Sequence, residues 1–247
     1  MARTNFAFSG IKQDVAYDEA ATRKGVYLKT VLLLLIAVAS AVISPLLLAK
    51  ASPDAATTVV IISAIVAIIF GFVGQLAPKV ALVSSIIYSL SEGVLLGVIS
   101  YIFEAEIGGI VLTAVIITAT VFAVSLFLYS TNIIKVNSAF IKVSLVILVS
   151  GLIASLTVWI VSLISHTNII AATFSNDSLK WLAILIAAFV LIYGAIMLFL
   201  DFHRIDVLVA NGFGKQYEWT AALGLIITVV WIYIEVLRII ALFSKRD

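Results

Sequence analysis

Seven apolar stretches, each long enough to cross a bilayer as a helix, occupy most of this chain. A span needs roughly 20 consecutive apolar residues, and runs of that order fall at 30–49, 57–77, 80–103, 107–129, 143–165, 181–202 and 219–243. Apolar residues make up 64% of the chain and charged residues 11%, whereas a soluble domain carries about 25% charged residues. No soluble core of this size encloses so much apolar surface, so lipid must face it. In lipid the backbone groups have to be satisfied within helices or a closed barrel. The expected fold is therefore an all-α integral membrane domain of seven transmembrane helices over 29–243, with a polar tail at 1–28 and a short basic C-terminus at 244–247.

Basic residues orient the spans. Arg3, Lys12, Arg23, Lys24 and Lys29 precede the first run, and Lys79, Lys135, Lys142, Arg204 and Lys215 fall on the same side. The opposite side holds Lys50, Lys180, Lys245 and Arg246. This bias predicts a cytoplasmic N-terminus and an outside C-terminus for a multi-pass plasma-membrane protein.

Several chemistries find no support. Cysteine is absent, which removes disulfides and thiolate chemistry, and a net charge of +2 gives no case for nucleic acid. The two histidines, His166 and His203, fall in expected loops, and neither a His-Glu-x-x-His nor a Gly-x-Ser-x-Gly pattern occurs. A retinal Schiff base needs a lysine inside the last helix, which has none before Lys245. The chain is not expected to be an enzyme, and no cofactor or metal site is assigned.

Local signals fill in the layout. Asp14–Lys24 reads either as an amphipathic surface helix, with Val15 and Tyr17 as weak anchors, or as a disordered tail. Pro45 lies near the outer end of the first run, Pro78-Lys79 marks a tight turn, and Tyr101–Glu106 reads as an outer turn. The fifth helix is expected to begin at Ile141 or Lys142, with Ser144, Gly151, Ser155 and Ser162 on one face suited to close packing. Trp181, Tyr217 and Trp219 sit at span ends as interfacial aromatics do. The connection from His203 to Glu218 is the most polar internal segment.

Charges inside spans are costly, about 2.5–3.5 kcal/mol each on insertion scales, and mark sites of function. Glu92 lies mid-span and shares a helix face with Ser85, Tyr88 and Ser89. That stripe suits a water-lined path with Glu92 and Ser89 along it; the plainer alternative is a protonated acid used in helix packing. Asp201 ends the sixth run, where a carboxylate opposes the helix macrodipole and calls for a partner, with Arg204 one turn later as a candidate ion pair. Glu235 and Arg238, three apart on the last helix, are placed to pair.

Three segments carry a family resemblance. Ile192-Tyr193-Gly194-Ala195-Ile196-Met197-Leu198-Phe199-Leu200-Asp201, followed by Tyr217-Glu218-Trp219-Thr220-Ala221-Ala222-Leu223-Gly224-Leu225, resembles the last two helices of the Bax inhibitor-1 family. Ser91-Glu92-Gly93-Val94-Leu95-Leu96-Gly97 is similar to the family's Glu-Gly-x-x-Leu-Gly pattern. The ending Trp231-Ile232-Tyr233-Ile234-Glu235-Val236-Leu237-Arg238 looks like a bacterial branch. The resemblance implies a bundle with the last helix central, in a bacterial inner membrane. It also implies a pH-sensitive calcium leak in which an aspartate ending the sixth helix shares a proton with an acid of the seventh.

Asp201 matches the first partner of that latch. For the second, ungapped alignment from Ala222-Leu223 points to Thr228, and an aromatic-x-acid alignment at Tyr233-Ile234-Glu235 points to Glu235. Glu218 is a third candidate, nearest in depth if both acids lie at the cytoplasmic end. Two carboxylates in low dielectric cannot easily both ionise, so a shared proton would tie two helices together. The expected function is a proton-regulated passive calcium leak whose partners are the bilayer, calcium and protons. Calcium suits carboxylate and carbonyl oxygens. The alternatives are a proton-coupled secondary transporter and a non-conducting interaction or stress-regulatory protein, its membrane partners left open.

Overall fold

The structure is a computed structural model that describes residues 19–165 and 180–244. Seven helices long and apolar enough to span a membrane form a bundle: α1 (Arg23–Leu48), α2 (Pro53–Leu76), α3 (Ala81–Glu106), α4 (Ile110–Ser130), α5 (Ser138–Ser165), α6 (Lys180–Ala210) and α7 (Tyr217–Ser244). A 3-10 turn, Pro78–Val80, leads into α3.

Short capping signals set the helix starts. The Thr22 hydroxyl accepts from Gly25 N at 2.9 Å at the head of α1, and Ser52 caps α2 with Pro53 at its first position. Asn137 Oδ1 accepts from Phe140 N at 2.8 Å to open α5. Between α3 and α4 the chain turns through Gly109 at φ 82°, a conformation that suits a residue without Cβ. The Glu104 carboxylate accepts from Gly109 N at 2.6 Å and Val111 N at 2.9 Å, tying the two helices at that end.

α7 is the central helix. It packs against α1, α2, α3, α4 and α6, whereas α5 rests on α6. Of the most apolar window in each helix, 56% is buried in α7 and 0% in α5. Leu223, Leu225, Ile226, Ile232 and Leu237 of α7 are fully enclosed. Leu35, Leu46, Phe72 and Val146 instead point outward, as a lipid-facing surface requires.

Close approach of α1 and α3 rests on small residues. A Cβ at Gly93 or Gly97 would run into the backbone carbonyls of Ala37 and Ala41, and Ser40 Oγ donates to Leu90 O at 2.7 Å. Without a hydrophobic drive between helices in lipid, such backbone proximity supplies the attraction.

The structure departs from several sequence-based expectations. Tyr101–Glu106 is the last turn of α3, not a loop, and the turn comes at 107–109. α5 begins at Ser138, and of its four small residues only Ser144 is buried; Gly151 faces open space, because among the described residues α5 packs on α6 alone. Of the helix expected over Asp14–Lys24, residues 19–22 are not helical and Arg23 and Lys24 belong to α1; Val15 and Tyr17 lie outside the described residues, as does His166. The largest departure is in α6, which continues to Ala210 and so carries His203, Arg204 and Asp206 on a helix. Phe202, Ile205 and Leu208, at helical spacing, are buried, and that apolar stripe sustains the extra turns.

Candidate functional site

A polar cluster sits where α2, α6 and α7 meet. Thr228 Oγ1 of α7 donates to Asp201 Oδ2 of α6 at 2.6 Å, with a weaker bond to Gly224 O at 3.3 Å. One turn beyond Asp201, Arg204 Nη1 donates to Gln75 Oε1 of α2 at 2.7 Å. Gln75 Nε2 in turn donates to Thr220 O of α7 at 3.0 Å. Gly224 lies beside this network, at ordinary van der Waals distance from it. A Cβ there would meet Gln75 Nε2 at 3.4 Å, Arg204 Nη1 at 3.6 Å and Asp201 Oδ1 at 3.7 Å. The aspartate and the arginine therefore converge on one spot beside α7, and three helices are tied by four side chains.

Extension of α6 removes the expected macrodipole conflict. Asp201 lies nine residues before Ala210, about 14 Å along the axis, and the dipole acts only within the last turn. The same extension overturns the depth argument for Glu218. At the level of Asp201, α7 presents Thr228. Glu218 lies ten residues earlier on that helix and Glu235 seven residues later, about 15 Å and 10 Å away along its axis. Arg204 also differs from expectation, since its hydrogen bond goes to Gln75.

Glu218 belongs to a second cluster. It is buried, forms an ion pair with Lys29, and accepts from Thr22 N at 2.7 Å and Thr22 Oγ1 at 3.1 Å. Gly25 allows the carboxylate to lie against α1, because a Cβ there would collide with it. Lys29 Nζ also sits 5.1 Å from the Trp219 ring centroid. Around this pair the segment before α1 is laced to the α6–α7 loop: Ala20 bridges Gly214, Ala21 N donates to Phe213 O at 2.7 Å, and Glu19 pairs with Lys215. That hydrogen bond and charge hold the Lys215 ammonium above the ordinary lysine pKa.

Glu235 is buried, and Arg238 lies 3.2 Å from it one turn on, with the guanidinium half exposed. Glu92 is half-buried at the middle of α3, beside buried Tyr88 and Ser89. Among the described residues Ser89 Oγ is buried without a hydrogen-bond partner. Ser85 of the same face is satisfied within its own helix, donating to Ala81 O at 2.6 Å. The geometry thus separates the acids into three sites along α7 and one on α3. Among the described residues, no three of the His, Cys, Asp and Glu side chains gather as metal ligands would.

Sequence reasoning did not single out Gln75, Gly224, Thr22 or Lys29. Gln75 was readable, as a polar side chain closing an otherwise apolar run; Thr22 and Lys29 were not, because their partner lies 196 and 189 residues away.

No curated protein and no solved structure matches the chain. The family model described as Bax inhibitor 1 like, in contrast, matches residues 4–245, which take in all seven helices, and the chain therefore belongs to the Bax inhibitor 1 like family.

Proposed function

We propose that this protein is a passive cation leak regulated by protons, with calcium as the leading permeant ion, in the inner membrane of a bacterium. The observation that carries the reading is the Asp201–Thr228 hydrogen bond at the junction of α2, α6 and α7. That carboxylate lies against the central helix, beside the Arg204–Gln75 bond that reaches the third span.

The ionised carboxylate accepts from Thr228 and balances the Arg204 guanidinium one turn away. Proton uptake removes that negative charge. Arg204 then lacks its neighbouring counter-charge, and its bond to Gln75 of α2 no longer sits in a neutral cluster. A helix arrangement balanced within a few kcal/mol shifts when one state binds the proton better. Glu218 with Lys29 is a further acid–base tie, joining the start of α7 to α1, and its protonation loosens α7 in the same sense; Glu235 with Arg238 is a pair within α7 itself. Along the path, Glu92 supplies a negative group at mid-membrane and Ser89 an oxygen that has no hydrogen-bond partner among the described residues. These suit a dehydrated cation, which takes carboxylate and neutral oxygens.

The experiment is calcium flux into proteoliposomes measured against pH. A pH-dependent, downhill flux that Glu92→Gln lowers at equal protein incorporation supports the reading. Saturable, gradient-driven uptake of another solute would replace it with a coupled transporter.

A further inference from the structure

Away from the α2–α6–α7 junction, a cavity of about 380 Å³ opens between the start of α1, the end of α4 and the α6 turn bearing His203 and Asp206. Its size falls within the range of small-ligand pockets. It lies on the face that carries residues 19–22, at the level where α1 begins and α4 ends. The α4–α5 connection turns through Asn132 at φ 56° and brings Lys135 onto the cavity wall.

The charge inventory of this cavity is one-sided. Its only acid among the lining residues is Asp206, and both oxygens of that acid are engaged. Oδ1 lies 2.6 Å from Arg23 Nε, and Oδ2 accepts from Tyr129 Oη at 2.8 Å. Asp206 is thereby neutralised and fixed as part of the wall. Lys135 and His203 line the same space, and among the described residues neither has a hydrogen-bond or ion-pair partner. An ammonium and an imidazole N–H therefore remain for a ligand. Leu126, Ile134 and Val136 add an apolar surface to the wall.

Unused donors beside a positive charge select an anion with several acceptor oxygens, and a phosphate group fits that description. The position at a helix-end boundary, with apolar side chains in the wall, favours a phosphate carried on acyl chains over one free in solution. Lysine and arginine concentrate on this face of the sequence, as they do beside anionic leaflets. We propose that this pocket binds the phosphate of an anionic glycerophospholipid headgroup, held by Lys135 and His203 and walled by the Arg23–Asp206–Tyr129 set.

The test is native mass spectrometry of the full-length protein in detergent, titrated with phosphatidylglycerol or with diacylglycerol of the same chains, and in a third arm with phosphatidylglycerol plus millimolar inorganic phosphate. The variant is Lys135→Gln with His203→Gln. Lys135 is an exposed loop residue, and Lys135→Gln alone is a second variant that leaves the helices untouched. The expected result is tighter retention of phosphatidylglycerol than of diacylglycerol, weakened by about tenfold in the double variant and by a smaller factor in the single one, as loss of a charge-assisted hydrogen bond gives. Equal retention of the two lipids, or equal retention of phosphatidylglycerol by wild type and both variants, would overturn the site. Displacement of the lipid by inorganic phosphate would overturn the lipid as its ligand.

Discussion

Thr228 on α7 holds the place directly across from Asp201 on α6, and its hydroxyl donates to the carboxylate at 2.6 Å. Ungapped alignment to the related family places the second acid of the latch at this position. A hydroxyl cannot ionise, so under the proposed function proton sensing here would fall to a single carboxylate with a neutral donor rather than to a pair. Arg204 and Gln75 supply the balancing charge and the tie to α2.

Thr228→Val removes that donor while nearly preserving shape. Leaving a buried acceptor short of a partner costs about 1–3 kcal/mol, and the lower end of that range suits this half-buried carboxylate. The expected outcome is a lower unfolding temperature in detergent for Thr228→Val and near-recovery for Thr228→Ser, read by tryptophan fluorescence on heating. Equal stability of all three proteins would mean that the bond contributes nothing.

The buried pair of Lys29 and Glu218 should show strong coupling. Lys29→Met strands a carboxylate that is 1% exposed, and breaking a buried pair costs about 3–5 kcal/mol. Adding Glu218→Gln should restore most of that loss, because the amide needs no counter-charge and keeps the bonds from Thr22. A double variant no more stable than Lys29→Met would contradict this.

Two glycines should respond in opposite directions to the same change. A Cβ at Gly97 strikes the Ala41 carbonyl, so Gly97→Ala is expected to cost about 1–3 kcal/mol through overpacking of α1 on α3. Gly151 faces open space on α5, where Gly→Ala in a helix gains about 0.5–1 kcal/mol. Thermal unfolding of the two variants checks the pair.

The clip of residues 19–22 on the α6–α7 loop should depend on pH through Lys215. Its pKa is raised by Glu19, so the folded state holds the proton more tightly than the unfolded chain. That contribution is complete below the ordinary lysine range and is lost as pH rises through the raised value. Hydrogen exchange at Ala21 N, which donates to Phe213 O, should quicken beyond its intrinsic base catalysis on the alkaline side. Lys215→Gln should show the faster exchange already at neutral pH.

Hydrophobic run length carried most of the fold, because a span must be apolar along its whole lipid-facing length whatever its partners. It failed at α6, where the chain leaves the apolar layer at His203 yet stays helical. The signal there was the buried series Phe202, Ile205 and Leu208, a three-residue period masked by the intervening His203, Arg204, Asp206 and Val207. Asp201 and Glu92 stood out as acids in apolar runs, but their partners were not legible. Which residue of α7 faces Asp201 depends on how far α6 continues and on the length of the 211–216 loop. A shift of a few residues exchanges Glu218, Thr228 and Glu235. The Thr22–Glu218 contact joins the two ends of the sequence, and no local pattern announces it.

In the proposed function, Asp201 is the group through which acidity controls conduction. Calcium flux into proteoliposomes, measured from acid to neutral pH for wild type and Asp201→Asn at matched incorporation, tests this directly. The account predicts a pH-dependent flux in wild type and a flat profile in Asp201→Asn, whose amide cannot change charge. A variant that conducts calcium with the wild-type pH profile would contradict it.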